Sequence, residues 1–127
     1  PADGLGPASI RALAAAADLV VVPSEEGPGL PAEGRPHVIV QALVAGTPVL
    51  GGPNRAVVEA CEQARQATVE APGAVALAAA VRGALEPPVR TRLRAQARTV
   101  GQDAEWSAVV PRWERALNAA VSRRGSR

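Results

Sequence analysis

The chain has 127 residues, enough for one domain with its own hydrophobic core, and a formal net charge of only +2. Its single cysteine, Cys61, excludes an internal disulfide, and its single histidine, His37, excludes the usual clustered His/Cys metal sites. No apolar run approaches the ~20 residues that a membrane-spanning helix needs. We therefore predict a cytoplasmic protein without a bound metal, with peripheral attachment at the inner membrane face as the alternative location.

The basic residues are all arginines, and four of them cluster at Arg90, Arg92, Arg94 and Arg98. The cluster falls in a polar helical pattern that has no aromatic residues to stack on bases. A solvated helix face explains this pattern better than a nucleic-acid surface does. We predict no nucleic-acid partner.

Short apolar runs alternate with helical patterns along the chain, and the unbroken β-branched run at 19–22 is typical of a strand covered on both faces. This alternation predicts a small parallel α/β sheet with right-handed crossovers. We assign residues 1–122 to one domain and residues 123–127 to a disordered tail. In chain order, the predicted elements are a helix over 9–17, a strand over 19–22, a loop over 25–32, a helix over 36–45, a strand over 47–50, a helix over 55–63, a strand near 68–70, and helices over 74–85, 89–100 and 107–122.

The helical patterns at the two ends of the chain also predict packing. In the first helix, Ser9 is the expected N-cap, and Ile10, Leu13 and Ala17 share one face. In the last, Trp106 and Trp113 lie seven residues apart, about two turns. We expect both tryptophans to anchor that helix to the sheet, and the alternative is that Trp113 faces a partner surface.

The segment 33–50 contains the residues that suit a ligand. Ligands of open parallel sheets bind where strands end, so the loop 24–35 and the glycines Gly51 and Gly52 face one crevice. These glycines either let a ligand approach closely or simply permit the turn. The helix at 36–45 starts at the same edge, and a helix start presents unpaired N–H groups that suit a phosphate.

Proline has no N–H group, so the donors at this helix start belong to His37, Val38 and Gly34. The alternative is that water or a loop side chain caps this end. Glu33 lies just before the helix, where Gly34 and Pro36 hold it at the mouth of the crevice.

Gln41 is the only polar side chain between Val38 and Ala45, in a helix that we expect to be buried on every side. An unpartnered buried amide costs about 1–3 kcal/mol, so a partner is expected. Gln41 follows His37 by one turn and points back toward the helix start, within reach of a ligand there. The alternative partner is a neighbouring backbone carbonyl.

These residues resemble the donor-site signature of retaining GT-B glycosyltransferases, and more narrowly that of the group 1 (GT4-type) family. The resemblance implies a Rossmann-like fold, here a fragment of the C-terminal domain that binds a nucleotide-diphosphate sugar without a cofactor. It continues through Gly51-Gly52, Glu59 and residues 69–77. The matching segments are Pro23-Ser24, Glu33-Gly34-Arg35-Pro36-His37-Val38, Gln41-Ala42 and Ala45-Gly46-Thr47-Pro48-Val49.

The resemblance also implies roles for these residues. Glu33 would contact the sugar hydroxyls as the catalytic candidate, and the backbone of 34–38, including Pro36, would hold the diphosphate. Gln41 stands where the family has a second glutamate that binds the ribose hydroxyls. Arg35 stands where the family often has an apolar residue, and it reaches either a phosphate or solvent.

The family's basic pair and its acceptor-binding domain do not precede Pro1. We therefore expect this fragment to be inactive alone and to need an N-terminal Rossmann-like domain, a nucleotide-sugar donor, and a glycan, lipid or small-molecule acceptor. The predicted activity is sugar transfer with retention. The alternative is a non-catalytic Rossmann-like remnant that serves as a binding or assembly module. A nicotinamide-dependent enzyme is disfavoured because no G-x-G-x-x-G follows a strand.

Overall fold

The computed structural model describes residues 6–24, 37–69 and 71–125. Three strands alternate with helices, and three further helices follow. The elements are α1 (Pro7–Ala16), β1 (Val20–Val22), α2 (His37–Val44), β2 (Val49–Gly51), α3 (Arg55–Gln63), β3 (Ala67–Thr68), α4 (Ala74–Leu85), α5 (Pro87–Ala104) and α6 (Trp106–Gly125).

The sheet has the order β1-β2-β3, and both neighbouring pairs are parallel. Val20 lies opposite Val49, and Leu50 lies opposite Ala67. The predicted parallel α/β fold is therefore confirmed. Because β2 is the central strand, its residues Val49 and Leu50 are fully buried.

The core forms where α2 and α3 cover β2 and where α5 packs on α2. Burying a Val, Leu or Ile side chain contributes about 1.5–3 kcal/mol, so this cluster supplies much of the stability. Its members are Val22, Ile39, Ala42, Leu43, Val49, Val57, Ala60, Cys61, Ala64 and Ala97.

Local signals define the ends of α2 and α3. Gly46, with a φ of +72°, ends α2 as predicted, because glycine adopts this left-handed conformation without strain. The Gly46 N–H donates to the Leu43 carbonyl (2.9 Å) and the Thr47 N–H to the Ala42 carbonyl (2.9 Å), which forms a Schellman motif. At the start of α3, the Asn54 side chain accepts hydrogen bonds from the backbone N–H groups of residues 56 and 57.

The first helix departs from the prediction. It begins at Pro7 with Gly6 as its N-cap, so Ser9 is not the cap. Its buried residue is Ala14, whereas Leu13 is 57% exposed. The Thr47 hydroxyl donates to the Ala14 carbonyl at 2.7 Å, and this contact selects the small-residue side of α1 as the packing side.

The fifth helix also departs from the prediction, because it begins at Pro87 and ends at Ala104. Proline suits the first turn of a helix, where its missing N–H has no intrahelical partner to lose. The Pro87-Pro88 pair therefore starts α5 and does not interrupt it.

The expected anchoring of α6 by tryptophans is wrong. Trp106 is 80% exposed and Trp113 is 68% exposed, and α6 packs against α5. The exposed apolar residues of α6 recur every three or four positions, so they share one face of the helix. They are Trp106, Val110, Trp113, Leu117 and Val121. The helix also continues through residues 123–125, the first three of the predicted disordered tail.

Gln66 is a buried polar residue that links three parts of the fold. Its Oε1 accepts from the Val49 N–H at 3.0 Å, while its Nε2 donates to the carbonyls of Ala64 (3.2 Å) and Leu93 (3.3 Å). The side chain therefore ties the central strand to the end of α3 and to α5.

The contact between α2 and α5 depends on Gly101. A Cβ atom there would meet the backbone of Leu43 and Val44, which cannot rotate away as a side chain can. We predict that Gly101→Ala lowers the free energy of unfolding by about 1–3 kcal/mol, the usual cost of overpacking. Urea unfolding followed by circular dichroism measures this change.

Gly83→Ala in α4 is the matched control, because a Cβ at Gly83 meets no heavy atom within 4 Å. This change should raise stability by up to about 1 kcal/mol, since alanine is the better helix former. Equal stabilities for Gly101→Ala and Gly83→Ala would contradict the close packing of α5 on α2.

Gln66→Ala should lower the free energy of unfolding by about 3 kcal/mol, because it leaves the Val49 N–H buried without a partner and removes the bonds that Gln66 makes to the carbonyls of Ala64 and Leu93. The exposed Gln102, changed to Ala, is the control and should alter stability by less than about 0.5 kcal/mol. Similar unfolding midpoints for the two variants would show that Gln66 does not join the strand to α5.

Candidate functional site

Gly51, the last residue of β2, and Gly52, which follows it, make room for protein atoms. A Cβ at Gly52 would lie 2.7 Å from the Ser24 carbonyl oxygen, and one at Gly51 would lie 2.8 Å from the Cys61 Sγ. The Gly52 N–H donates to the Val22 carbonyl at 2.7 Å, so the segments that follow β1 and β2 are joined at this edge. The sequence left two interpretations of these glycines: close approach by a ligand, or room for the turn itself. The structure supports the second, because protein atoms occupy the space where a side chain would lie.

Four predicted site residues, Glu33, Gly34, Arg35 and Pro36, lie outside the described residues. His37 and Val38 form the first turn of α2, and both side chains are exposed. Because α2 connects the end of β1 to the start of β2, its first turn lies at the carboxyl edge of the sheet. This is the edge at which open parallel sheets bind ligands.

The expectation that α2 is buried on every side is wrong. Ile39, Ala42 and Leu43 are buried, whereas His37, Val38 and Val40 are exposed and Gln41 is half-buried. The helix packs against β1, β2, α1 and α5, and these neighbours leave part of its surface in contact with solvent. The Gln41 amide therefore does not need an internal partner, and a ligand from solution can reach it.

Gln41 lies in the wall of a cavity of about 480 Å³. Three parts of the chain line it: α2, α1 and the α5–α6 junction, which we define as residues 104–107. The lining residues are Arg11, Val40, Gln41, Val44, Ala104, Glu105, Trp106 and Ser107. We call this the Gln41 cavity.

A second cavity, of about 610 Å³, shares Arg11, Val44 and Glu105 with the Gln41 cavity. Its remaining walls are alanines of α1 and of the end of α2. The two cavities therefore lie side by side in a groove between α1 and α2, next to the α5–α6 junction.

Two hydrogen bonds fix α1 beside this groove. The Thr47 hydroxyl donates to the Ala14 carbonyl, and the Arg94 Nη2 donates to the Ala17 carbonyl at 3.2 Å. Arg11 lies one turn before Ala14, so these contacts also position the Arg11 side chain opposite α2.

The arginine cluster of α5 has a structural task. Arg90 Nη1 lies 3.2 Å from the Asp18 carboxylate and Arg94 Nη2 lies 3.6 Å from it. The Arg98 stem lies over Gly46, where α2 ends. Arg94 and Arg98 thus meet the carboxyl ends of α1 and α2, where a cation interacts favourably with the helix dipole. The arginine cluster is therefore only in part a solvated face of α5.

The remaining candidates for chemistry are inactive or absent in the described part of the chain. Burial raises the pKa of the Cys61 thiol to about 11, so it stays protonated at neutral pH and is a poor nucleophile. The ranges 6–24, 37–69 and 71–125 hold no group of three or more His, Cys, Asp or Glu residues that could bind a metal ion. They also hold no helix long and apolar enough to cross a membrane.

Sequence reasoning identified Gln41 but missed its neighbours Arg11, Glu105 and Trp106. They lie far apart in the chain, and from the sequence alone Arg11 and Glu105 have the pattern of surface residues and Trp106 that of a core residue. Only the packing of α1 and α5 on α2 brings them to one cavity.

The family comparison agrees with the fold. The model of the family described as glycosyl transferases group 1 matches residues 4–100, which include all three strands, α2 and most of α5. No curated protein and no solved structure gives a significant match. Since the match covers most of the chain, this protein belongs to the group 1 glycosyltransferases.

Proposed function

We propose that this chain is the donor-binding part of a GT4-type glycosyltransferase that transfers a sugar, with retention, from a nucleotide-diphosphate sugar. The observation that supports this best is the position of Gln41. It lies one turn after the exposed start of α2, in a cavity open to a ligand. The acceptor is a glycan, a lipid or a small molecule, and a second Rossmann-like domain completes the site.

The start of α2 would bind the diphosphate. A helix start carries about half a positive elementary charge and presents unpaired N–H groups, which together favour an anion. Residues 37 and 38 supply two of these N–H groups, and Gly34 would supply a third. Arg35 would add a full positive charge if it reaches the phosphates.

Gln41 would bind the ribose. A carboxylate accepts two hydroxyl hydrogens with charge assistance, whereas the amide offers one carbonyl acceptor and an NH2 donor. Ribose hydroxyls both donate and accept, so an amide remains a suitable partner. The neutral bond is weaker by about 1–2 kcal/mol, the usual difference between charged and neutral hydrogen bonds.

Glu33 would contact the hydroxyls of the transferred sugar. In the reaction, the bond between the anomeric carbon and the phosphate oxygen breaks, and the anomeric carbon bonds to the oxygen of an acceptor hydroxyl. The proton of that hydroxyl passes to a phosphate oxygen of the departing diphosphate. The departing diphosphate keeps the electron pair, so charge grows where the start of α2 already favours it. We propose that no metal and no organic cofactor takes part.

A non-catalytic binding or assembly module is the second candidate. The amide of Gln41, in place of the family's acid, is the observation that favours it. Such a module would not turn over a nucleotide sugar, whether or not it still binds one.

Gln41→Glu should tighten the binding of a nucleotide sugar about five- to thirtyfold, which corresponds to the 1–2 kcal/mol of charge assistance. Gln41→Ala should weaken it. Calorimetric titration of the full-length protein with UDP-, GDP- and ADP-sugars measures both changes and identifies the base.

Gln102→Glu adds the same charge at an exposed position of α5 and is the matched control. Unchanged or weaker binding by Gln41→Glu would contradict the ribose contact.

Glu33→Ala separates the two candidate functions. If the protein is an enzyme, Glu33→Ala should stop the release of nucleoside diphosphate from the donor and leave donor binding intact. If it is a binding module, neither the unaltered protein nor Glu33→Ala should release nucleoside diphosphate.

A further inference from the structure

Most of α6 is exposed on every side in the described part of the chain. Ala108, Val109 and Pro111, near its start, are half-buried, whereas every residue from 112 to 123 is exposed. A helical segment of this length is only marginally stable in water by itself, because most helices depend on the packing of an apolar face. A partner that covers α6 would therefore stabilise the helix to which it binds.

The five exposed apolar residues of α6, which we call the α6 face, have a spacing that is nearly the same in both directions. Trp106 and Val121 lie equally far from the midpoint of the face, between residues 113 and 114. The same is true of Val110 and Leu117, and Trp113 lies beside the midpoint. In a twofold-symmetric dimer, each contact occurs twice with the two residues exchanged. Two antiparallel copies of α6 would therefore place each apolar residue opposite another.

The charges at the two ends of α6 also favour an antiparallel pair. Glu105 lies just before the start of the helix, and Arg123 lies near its end. In the antiparallel register, Arg123 of one copy lies opposite the segment 103–105 of the other, so unlike charges meet at both ends. Asp103 already pairs with Arg112 of its own copy at 2.8 Å, so Glu105 is the acid that Arg123 would meet. The helix dipoles favour the same arrangement, because each positive start lies beside a negative end.

We infer that the α6 face binds the same face of a second copy of this chain, with the two helices antiparallel and crossing at Trp113. The α6 faces of both copies would bury on the order of 1,000 Å², near the lower limit for a specific interface. The dimer is therefore weak, and its population depends on the protein concentration. Nucleotide-sugar binding is not needed for it, so the dimer and the proposed function can fail separately.

Glu114 borders the α6 face, since it follows Val110 by four residues and precedes Leu117 by three. Because it lies beside the midpoint, the two copies of Glu114 would lie close together in the dimer and repel each other. The same carboxylate disfavours an anionic lipid surface, which would meet a negative charge at the centre of the face. Arg115 lies on the opposite side of the helix, away from such a surface.

The oligomeric state of the full-length protein tests this inference. Sedimentation velocity between about 1 and 100 µM should show a monomer–dimer equilibrium, as expected for a small interface. Trp113→Ala should raise the Kd of the dimer about thirtyfold, since tryptophans at the centre of an interface contribute most to binding. Arg115→Ala, on the other side of the same helix, is the matched control and should leave the Kd unchanged. Both side chains are exposed, so neither change disturbs the core.

Charge variants test the antiparallel register. Glu114→Gln removes the repulsion at the midpoint and should lower the Kd of the dimer about twofold, with a smaller effect at high salt. Arg123→Glu should raise the Kd several-fold. Adding Glu105→Arg to Arg123→Glu should restore most of the affinity, because the exchanged charges meet again across the twofold axis.

Three results would overturn the inference. The first is a full-length protein that stays monomeric at about 100 µM, well above the Kd expected for such an interface. The second is a dimer whose Kd neither Trp113→Ala nor the charge variants alter, because its interface would then lie elsewhere. The third is a monomer that binds vesicles of anionic phospholipid and loses this binding in Trp113→Ala, because the α6 face would then bind a membrane surface.

Discussion

The close packing of α5 on α2 is the constraint on which the rest of the structure depends. At Gly101, the absence of a side chain lets the α5 backbone approach the backbone of Leu43 and Val44. The contact holds α5 against α2 and places the end of α5 beside the middle of α2. Glu105 and Trp106 follow Gly101 by about one turn, so this approach also brings them to Gln41.

The same packing explains how a small sheet can support a site. A sheet of three short strands cannot form a core by itself, so helices must pack on its faces. Gln66 and the arginine row of α5 hold those helices through hydrogen bonds to carbonyl groups of other elements. These ties lie away from the first turn of α2, where His37 and Val38 are exposed.

Much of the fold could be predicted from local signals. The bounds of α3 and α4 match the sequence prediction residue for residue, and Gly46 ends α2 where a glycine was expected to end it. The parallel sheet followed from the alternation of elements. The errors arose where tertiary contacts decide, as in α1, whose packing face depends on a hydrogen bond from Thr47.

The site was predictable only in part, for the same reason. A motif pointed to Gln41, yet the helix that carries it is not buried on every side as its apolar composition suggested. Arg11 and Trp106 belong to no motif, and three helices must pack before they share a cavity. Trp106 in particular has the spacing of a core residue, and its exposure became evident only from the structure.

The most direct measurement is a set of nuclear Overhauser effects between the full-length protein and a bound nucleoside diphosphate. If Gln41 binds the ribose, the ribose protons will show contacts to the Gln41 side-chain amide. A bound nucleotide whose ribose shows no contact to this amide would contradict this account.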